Sequence, residues 1–123
     1  MWSGLRQRAA RSLGQSAEDL ASAYLQARGL RLVQRNYRVR GGEIDLIMRA
    51  ADASLVFVEV RARSSGNFGG AAGSIDARKR RRIVLAARHY LARLPAEPNC
   101  RFDVVALDAG RLEWLPGAFA IED

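Results

Sequence analysis

Cysteine, histidine and lysine are almost missing from this chain: Cys100, His89 and Lys79 are their only representatives among 123 residues. A single cysteine rules out an internal disulfide, and without a CxxC or a Cys/His cluster there is no ligand set for structural zinc. His89 stands between Arg88 and Tyr90 with no nucleophile pattern near it, so it reads as a surface or boundary side chain and not as a catalytic base. No GxSxG, Walker or dinucleotide fingerprint is present, and Gly66 to Gly73 does not match a phosphate-binding loop. The stretch Met1 to Gln15 carries Arg6, Arg8 and Arg11 but no apolar h-region, and no later run approaches membrane-spanning length. A cytoplasmic location is therefore expected.

What is abundant is arginine. The formal charge is +7, and nearly all of the excess is guanidinium. Basic surfaces gain affinity for polyanions by releasing counterions from phosphates, so a nucleic-acid partner is the natural expectation. The sum is weak evidence beside the clustering, because arginine bias also follows from a GC-rich genome. The length is that of one domain, enough to bury about two thirds of the unfolded surface without staples. Residues 1–13 read as a basic flexible arm and 14–123 as a single domain.

Ser16 followed by Asp19 resembles a capping box, and Ala17, Leu20, Ala21 and Tyr24 give the helix it opens an apolar stripe that Gly29 ends. Leu30 to Val39 reads as a strand, with Gly41-Gly42 turning it into a second strand and Leu55 to Arg61 forming a third. Ser64 to Gly73 is too rich in glycine and small residues for regular structure and reads as a mobile loop. A second helix is predicted from Ser74 to about Leu94, stopped by Pro95, then strands over Arg101 to Leu107 and Leu112 to Leu115. The fold class is α/β in the order αβββαββ, and the helical crossover makes the third and fourth strands parallel.

The second and third strands hold the acids. With the hairpin turn centred on Asp52, Asp45 lies opposite Glu59 and Glu43 opposite Arg61. Opposed carboxylates on one face repel, since their Cβ atoms sit about 5 Å apart. A magnesium ion held by Asp45 and Glu59, with the Val60 carbonyl as a further ligand, would remove that penalty. A solvent-facing strand surface with a Glu43–Arg61 pair is the competing reading, and the residues alone leave the two level. The reverse face pairs Ile44 with Val60, Leu46 with Val58 and Met48 with Val56, all apolar. Glu18 could add a carboxylate from the first helix, but a lone glutamate in a first turn is also what the helix dipole favours. In the run Arg78 to Arg82, spacing turns Lys79 and Arg82 toward the sheet and Arg80 and Arg81 away from it. Asp103 alternates with Phe102 and Val104, which fits a half-buried structural acid, and Trp114 fits a packing residue.

Taken together, Gly14-x-x-Ala17-Glu18-x-x-Ala21-x-x-Tyr24-Leu25, Asn36-Tyr37-Arg38, Gly42-Glu43-Ile44-Asp45-Leu46-Ile47, Phe57-Val58-Glu59-Val60-Arg61-x-Arg63, the Lys79 helix ending Tyr90-Leu91, and Arg101-Phe102-Asp103-Val104-Val105 resemble the YraN-like bacterial family. That family is similar to archaeal Holliday junction resolvases of the PD-(D/E)XK nuclease superfamily. The resemblance runs from about Gly14 to Phe119. It implies a restriction-endonuclease-like mixed sheet flanked by helices, with Asp45 and Glu59 as ligands of Mg2+ or Mn2+, Glu18 as accessory acid and Lys79 near the site. Arg61 stands where the motif has lysine, and arginine stays charged and cannot act as a base. The expected function is metal-dependent endonucleolytic cleavage of DNA, of the branched or structured kind, by a homodimer as in resolvases. Arg63, Arg78, Arg80 and Arg81 are the expected nucleic-acid contacts. The alternatives are a non-catalytic nucleic-acid-binding protein retaining the fold, and a structural protein that engages an acidic protein or RNA assembly.

Overall fold

The computed structural model describes residues 16–63 and 75–121. Helix α1 covers residues 16–27 and ends where Gly29 takes φ +96°, letting the Leu30 N–H return to the Leu25 carbonyl at 3.1 Å. Strands β1 (Arg31–Val39), β2 (Gly42–Arg49) and β3 (Leu55–Arg63) follow, then helix α2 (Ala77–Ala92) and strands β4 (Cys100–Asp108) and β5 (Arg111–Phe119). The order is αβββαββ, as the sequence predicts, and the five strands lie side by side in chain order. Only β3 and β4 run parallel, because α2 carries the chain back across the sheet between them.

Alternation along β3 divides the core. Val56 and Val58 face α1, where they pack with Ala21, Leu25, Leu46, Met48 and Val105. Phe57 and Leu55 face α2 and meet Ile83, Ala86, Ala87, Tyr90, Leu91 and Phe102. The sheet is thus covered by one helix on each face. Helix α2 approaches closely at Gly42, where an added Cβ would stand 2.3 Å from the Arg82 carbonyl oxygen, so that position demands glycine.

The β2–β3 register is the predicted one, pairing Leu46 with Val58, Ile47 with Phe57, Met48 with Val56 and Arg49 with Leu55. Asp52 anchors the turn by accepting the Ser54 N–H at 3.0 Å, and Ala53 takes φ +73°. The pairing stops at Leu46 and Val58, however, and this corrects two expectations. Glu43 does not face Arg61 but pairs with Arg38 of β1 at 3.2 Å, and Ile44 does not share a face with Leu46 and Met48 but packs under α2 with Ile47 and Phe57.

Two boundaries also shift. Asp76 caps α2 by accepting the Lys79 N–H at 2.8 Å, so the helix begins at Ala77, while the predicted start at Ser74 lies outside the described residues. Strand β5 continues past Pro116 to Phe119, which an edge strand permits because a missing N–H there can face water. The basic arm expected at 1–13 and the loop expected at Ser64 to Gly73 likewise lie outside the described residues.

Candidate active site

Where the β2–β3 ladder stops, a side chain takes over its hydrogen bonding. Asp45 Oδ2 accepts the Val60 N–H at 2.8 Å, occupying a donor that a continued ladder would have given to the β2 backbone. The carboxylate is thereby drawn into the gap between the strands. Burial, then the negative charge of Glu59, raise its pKa to about 7, against smaller opposing effects of the Val60 N–H and Lys79. The two acids thus lie close enough for each to feel the other's charge.

Glu59 is only 4% exposed. Its Oε2 meets Lys79 Nζ at 3.4 Å and Arg61 Nη1 at 3.8 Å, while Oε1 is buried with no hydrogen-bond partner among the described residues. When both acids are ionised, neither can donate to the other, and the buried Oε1 is left without a donor among the described residues. Leaving such an oxygen unmatched costs about 1–3 kcal/mol or more. A cation in the gap would satisfy it.

Lys79 reaches Glu59 from the first turn of α2, on the sheet-facing side that its spacing predicts. Arg61, Arg78, Lys79 and Arg82, with the cap residue Asp76, line a cleft of about 280 Å³ beside Glu59. Arg82 shares Lys79's helical face in the sequence, but its membership of this cation cluster is a structural finding. Arg80 departs from its outward expectation: its guanidinium folds back, half-buried, onto the Ile75 carbonyl at 3.0 Å. Arg81 is exposed as expected, and the side chain of Arg63 lies outside the described residues.

On the α1 side, Glu18 lies close enough to Asp45 for their charges to repel. Burial and Asp45 raise its pKa, opposed by hydrogen bonds from Arg35 and Asn36. Arg35 spans Glu18 at 3.4 Å and Asp19 at 2.6 Å. Asn36 has φ +53°, and the register passes from Arg35–Leu46 to Tyr37–Ile44, placing Asn36 opposite Asp45. Sequence reasoning missed this residue as part of the site. The available signal was the residue type, since asparagine is among the non-glycine residues most tolerant of the left-handed region.

The structure therefore brings Glu18, Asp45, Glu59, Arg61 and Lys79 to one locality between the helices. No group of three or more His, Cys, Asp or Glu side chains that could hold a metal occurs among the described residues. Two carboxylates are nonetheless the usual protein share for magnesium, which keeps waters and takes substrate phosphate oxygens for the rest. Among the described residues no helix is long and apolar enough to cross a membrane.

Comparison with known proteins finds bacterial relatives over most of the chain. A UPF0102 protein of Cupriavidus pinatubonensis is 62% identical over 109 residues, covering 89% of this chain and 86% of the relative. One from Acidovorax sp. is 58% identical over 115 residues, covering 91% and 87%, and one from Paracidovorax citrulli is 57% identical over 117 residues, covering 93% and 87%. The matched family model spans residues 17–107, from α1 to β4, and so includes every acid and cation of the described cluster. With that span and those identities, the chain belongs to the uncharacterised protein family UPF0102.

Proposed function

We propose that the protein is a magnesium- or manganese-dependent endonuclease that hydrolyses phosphodiester bonds in DNA. The observation that carries this reading is the adjacency of two opposites: a buried pair of acids with an unmatched oxygen, and a cleft lined by four cations. Anionic substrate is attracted to the cleft and repelled by the acids, and a divalent cation between them reconciles the two.

The residues fit such a cation. Glu59 Oε1 is a buried acceptor without a donor, and Asp45 is held beside it with its charge disfavoured by burial. Asp45 and Glu59 would hold the ion, with the Val60 carbonyl a further ligand. When bound, the ion supplies neutralisation of the two carboxylates and a lowered pKa for water. The chain's own groups do the rest. Arg78 and Arg82 hold the phosphate backbone in the cleft, and Lys79, at the junction of cleft and acids, stabilises negative charge developing on the attacked phosphate. Arg61 orients water or shares that stabilisation, since it cannot give up a proton. Glu18 adds a third carboxylate from α1. The motif resemblance to Holliday junction resolvases extends the reading to branched DNA and a homodimer.

The test is cleavage in manganese of single-stranded, duplex, flap and four-way DNA. Cleavage that disappears with chelator and with Asp45→Asn is expected, strongest on the branched substrates. Failure to cut any of the four overturns the enzymatic reading. In that event the Arg61–Glu59 approach at 3.8 Å favours a second reading, in which arginine and Lys79 neutralise the acid permanently and the fold only binds nucleic acid. Calorimetry separates the two, because the second reading predicts no manganese uptake.

A further inference from the structure

We propose that Trp114, Tyr24 and Arg28 form a stacking platform for the unpaired bases of a DNA strand that enters the carboxylate site. The inference deepens the nuclease reading above by naming the substrate feature the site selects, and it rests on that reading for the position of the scissile phosphate.

The platform follows from how this face of the sheet is covered. A single helix cannot shield five strands, and α1 lies over β2, β3 and β4 through Ala21 and Leu25. Past its flank the apolar residues Val60, Leu107, Leu112 and Trp114 pack against that cluster yet stay half-exposed. On α1 itself Tyr24 is half-buried, and Leu20, one turn before it, is 57% exposed. Apolar surface left open in this way marks a contact face.

Strand register puts that face in line with the acids. Val60, whose N–H Asp45 accepts, pairs with Val105, and Val105 pairs with Trp114. Neighbouring strands lie about 4.8 Å apart, so the Trp114 backbone stands about 10 Å from that of Val60. Nucleotides flanking a phosphate at the acids therefore reach it.

The rings are held for stacking. The Trp114 indole N–H donates to the fully buried Asp103 at 2.9 Å, which anchors the polar edge of the ring inward while the residue stays half-exposed. Tyr24 meets this indole with 6.4 Å between centroids and 81° between planes. The exposed Arg28 lies over Tyr24 with its guanidinium carbon 3.5 Å from the ring centroid. That contact extends the π surface outward, because bases stack on guanidinium planes as they do on aromatic rings.

A second copy of the chain could also cover an apolar face, but charge selects a polyanion. The chain carries +7, Glu18 and Asp19 of α1 are turned to Arg35, and Asp103 is saturated by donors from Arg101, Trp114 and Gly117. Arg28 is then the charge set on the rings. Bases within a duplex already stack on one another, so such a platform favours single-stranded and junction-proximal DNA.

The test uses the full chain in chelator, so that no cleavage contributes. Trp2→Phe leaves Trp114 as the only tryptophan, and its emission is followed as oligothymidylate, or a duplex of the same length, is added. Oligothymidylate should quench it and the duplex should not. In the same background Trp114→Leu should weaken oligothymidylate binding, read by anisotropy of a labelled strand, about tenfold with an unchanged salt slope, because stacking and not charge is lost. Arg28→Ala should weaken it about threefold and lower the slope by about 1. Duplex binding should change in neither. Arg28 is exposed, so Arg28→Ala decides the matter if Trp114→Leu melts below the assay temperature.

Absence of quenching, parental affinity in the variants, or equal losses on the duplex would overturn the platform. So would light scattering that shows the variants splitting a dimer with DNA affinity unchanged, which would assign the face to a second copy. Cleavage judges the nuclease reading separately. Lost quenching with intact cleavage removes the platform alone, whereas quenching without cleavage removes the catalytic reading and leaves the platform standing.

Discussion

Two buried acids in this protein live in opposite circumstances. Asp103, fully buried in β4, accepts the Gly117 N–H at 2.9 Å, the Trp114 indole N–H at 2.9 Å and the Arg101 Nε–H at 3.1 Å. Glu59, almost as buried one strand away, has one oxygen with no hydrogen-bond partner among the described residues and the other sharing two distant cations. A carboxylate whose donors saturate it is finished chemistry: it ties β5 to β4 and has no capacity left. A carboxylate kept short of donors, beside a second acid, is a cost that folding alone does not explain. The sequence expectation of a half-buried structural role for Asp103 holds in kind, with burial more complete than expected.

The sharpest way to break this comparison is to neutralise one acid of each sort. Asp45→Asn should abolish manganese binding and cleavage while the protein stays folded, measured by calorimetry and a DNA cleavage assay. Unchanged titrations would remove Asp45 from the site. Asp103→Ala should do the reverse. Stripping three donors of their acceptor should cost about 3 kcal/mol in chemical denaturation, with manganese affinity retained by the folded fraction. Equal destabilisation by both substitutions would erase the distinction.

The contrast also has a pH signature. The folded pKa of Asp45 lies near 7, above the ordinary aspartate value of 3.8, so the folded state holds a proton that the unfolded chain releases earlier. Its contribution to stability is therefore fully present below pH 3.8 and is lost as pH rises through about 7. Metal-free wild type should accordingly lose up to about 4 kcal/mol between acid and mildly alkaline solution from this group, and Asp45→Asn should flatten that loss. Urea melts at several pH values in the presence of chelator measure it; parallel curves for the two proteins would refute the buried-acid account.

Much of this arrangement is legible in the sequence because it follows from periodicity. The apolar alternation of Leu46, Met48, Val56 and Val58 fixes the hairpin register, since a one-residue slip would turn the buried set outward. The spacing that turns Lys79 toward the sheet is equally a matter of period. What periodicity cannot reveal is where a side chain displaces the backbone. Asp45 takes the Val60 N–H, the ladder ends, and the faces of Ile44 and Asn36 change with it. Arg80 is a similar case, because the nearby Ile75 carbonyl takes a hydrogen bond from its guanidinium and draws it back.

That last difference alters the expected DNA footprint. Arg78 and Arg82 line the cleft, whereas Arg80 is committed to Ile75. Replacing Arg78 and Arg82 with alanine should lower the log-log salt slope of DNA binding by about 2, one for each phosphate neutralised, and Arg80→Ala should leave the slope unchanged. A slope that responds to Arg80 instead would move the DNA off the cleft.

The smallest expected effect belongs to Arg61, which stands where the motif of the proposed nuclease site would have lysine. Its guanidinium stands 3.8 Å from Glu59 Oε2 with 29% of the side chain exposed, too long for a strong hydrogen bond and too wet for a strong ion pair. Arg61→Ala should therefore shift stability by no more than about 1 kcal/mol, while removing the charge that orients water should lower cleavage. Lysine restores a cation at that position and can also exchange a proton, so Arg61→Lys should cleave as well as wild type or better. The comparison rests on cleavage rate and thermal midpoint of the three proteins in manganese. Undiminished cleavage by Arg61→Ala would show that the arginine contributes nothing beyond neutralising Glu59, which would set it with the saturating partners of Asp103 instead of the reactive side of the molecule.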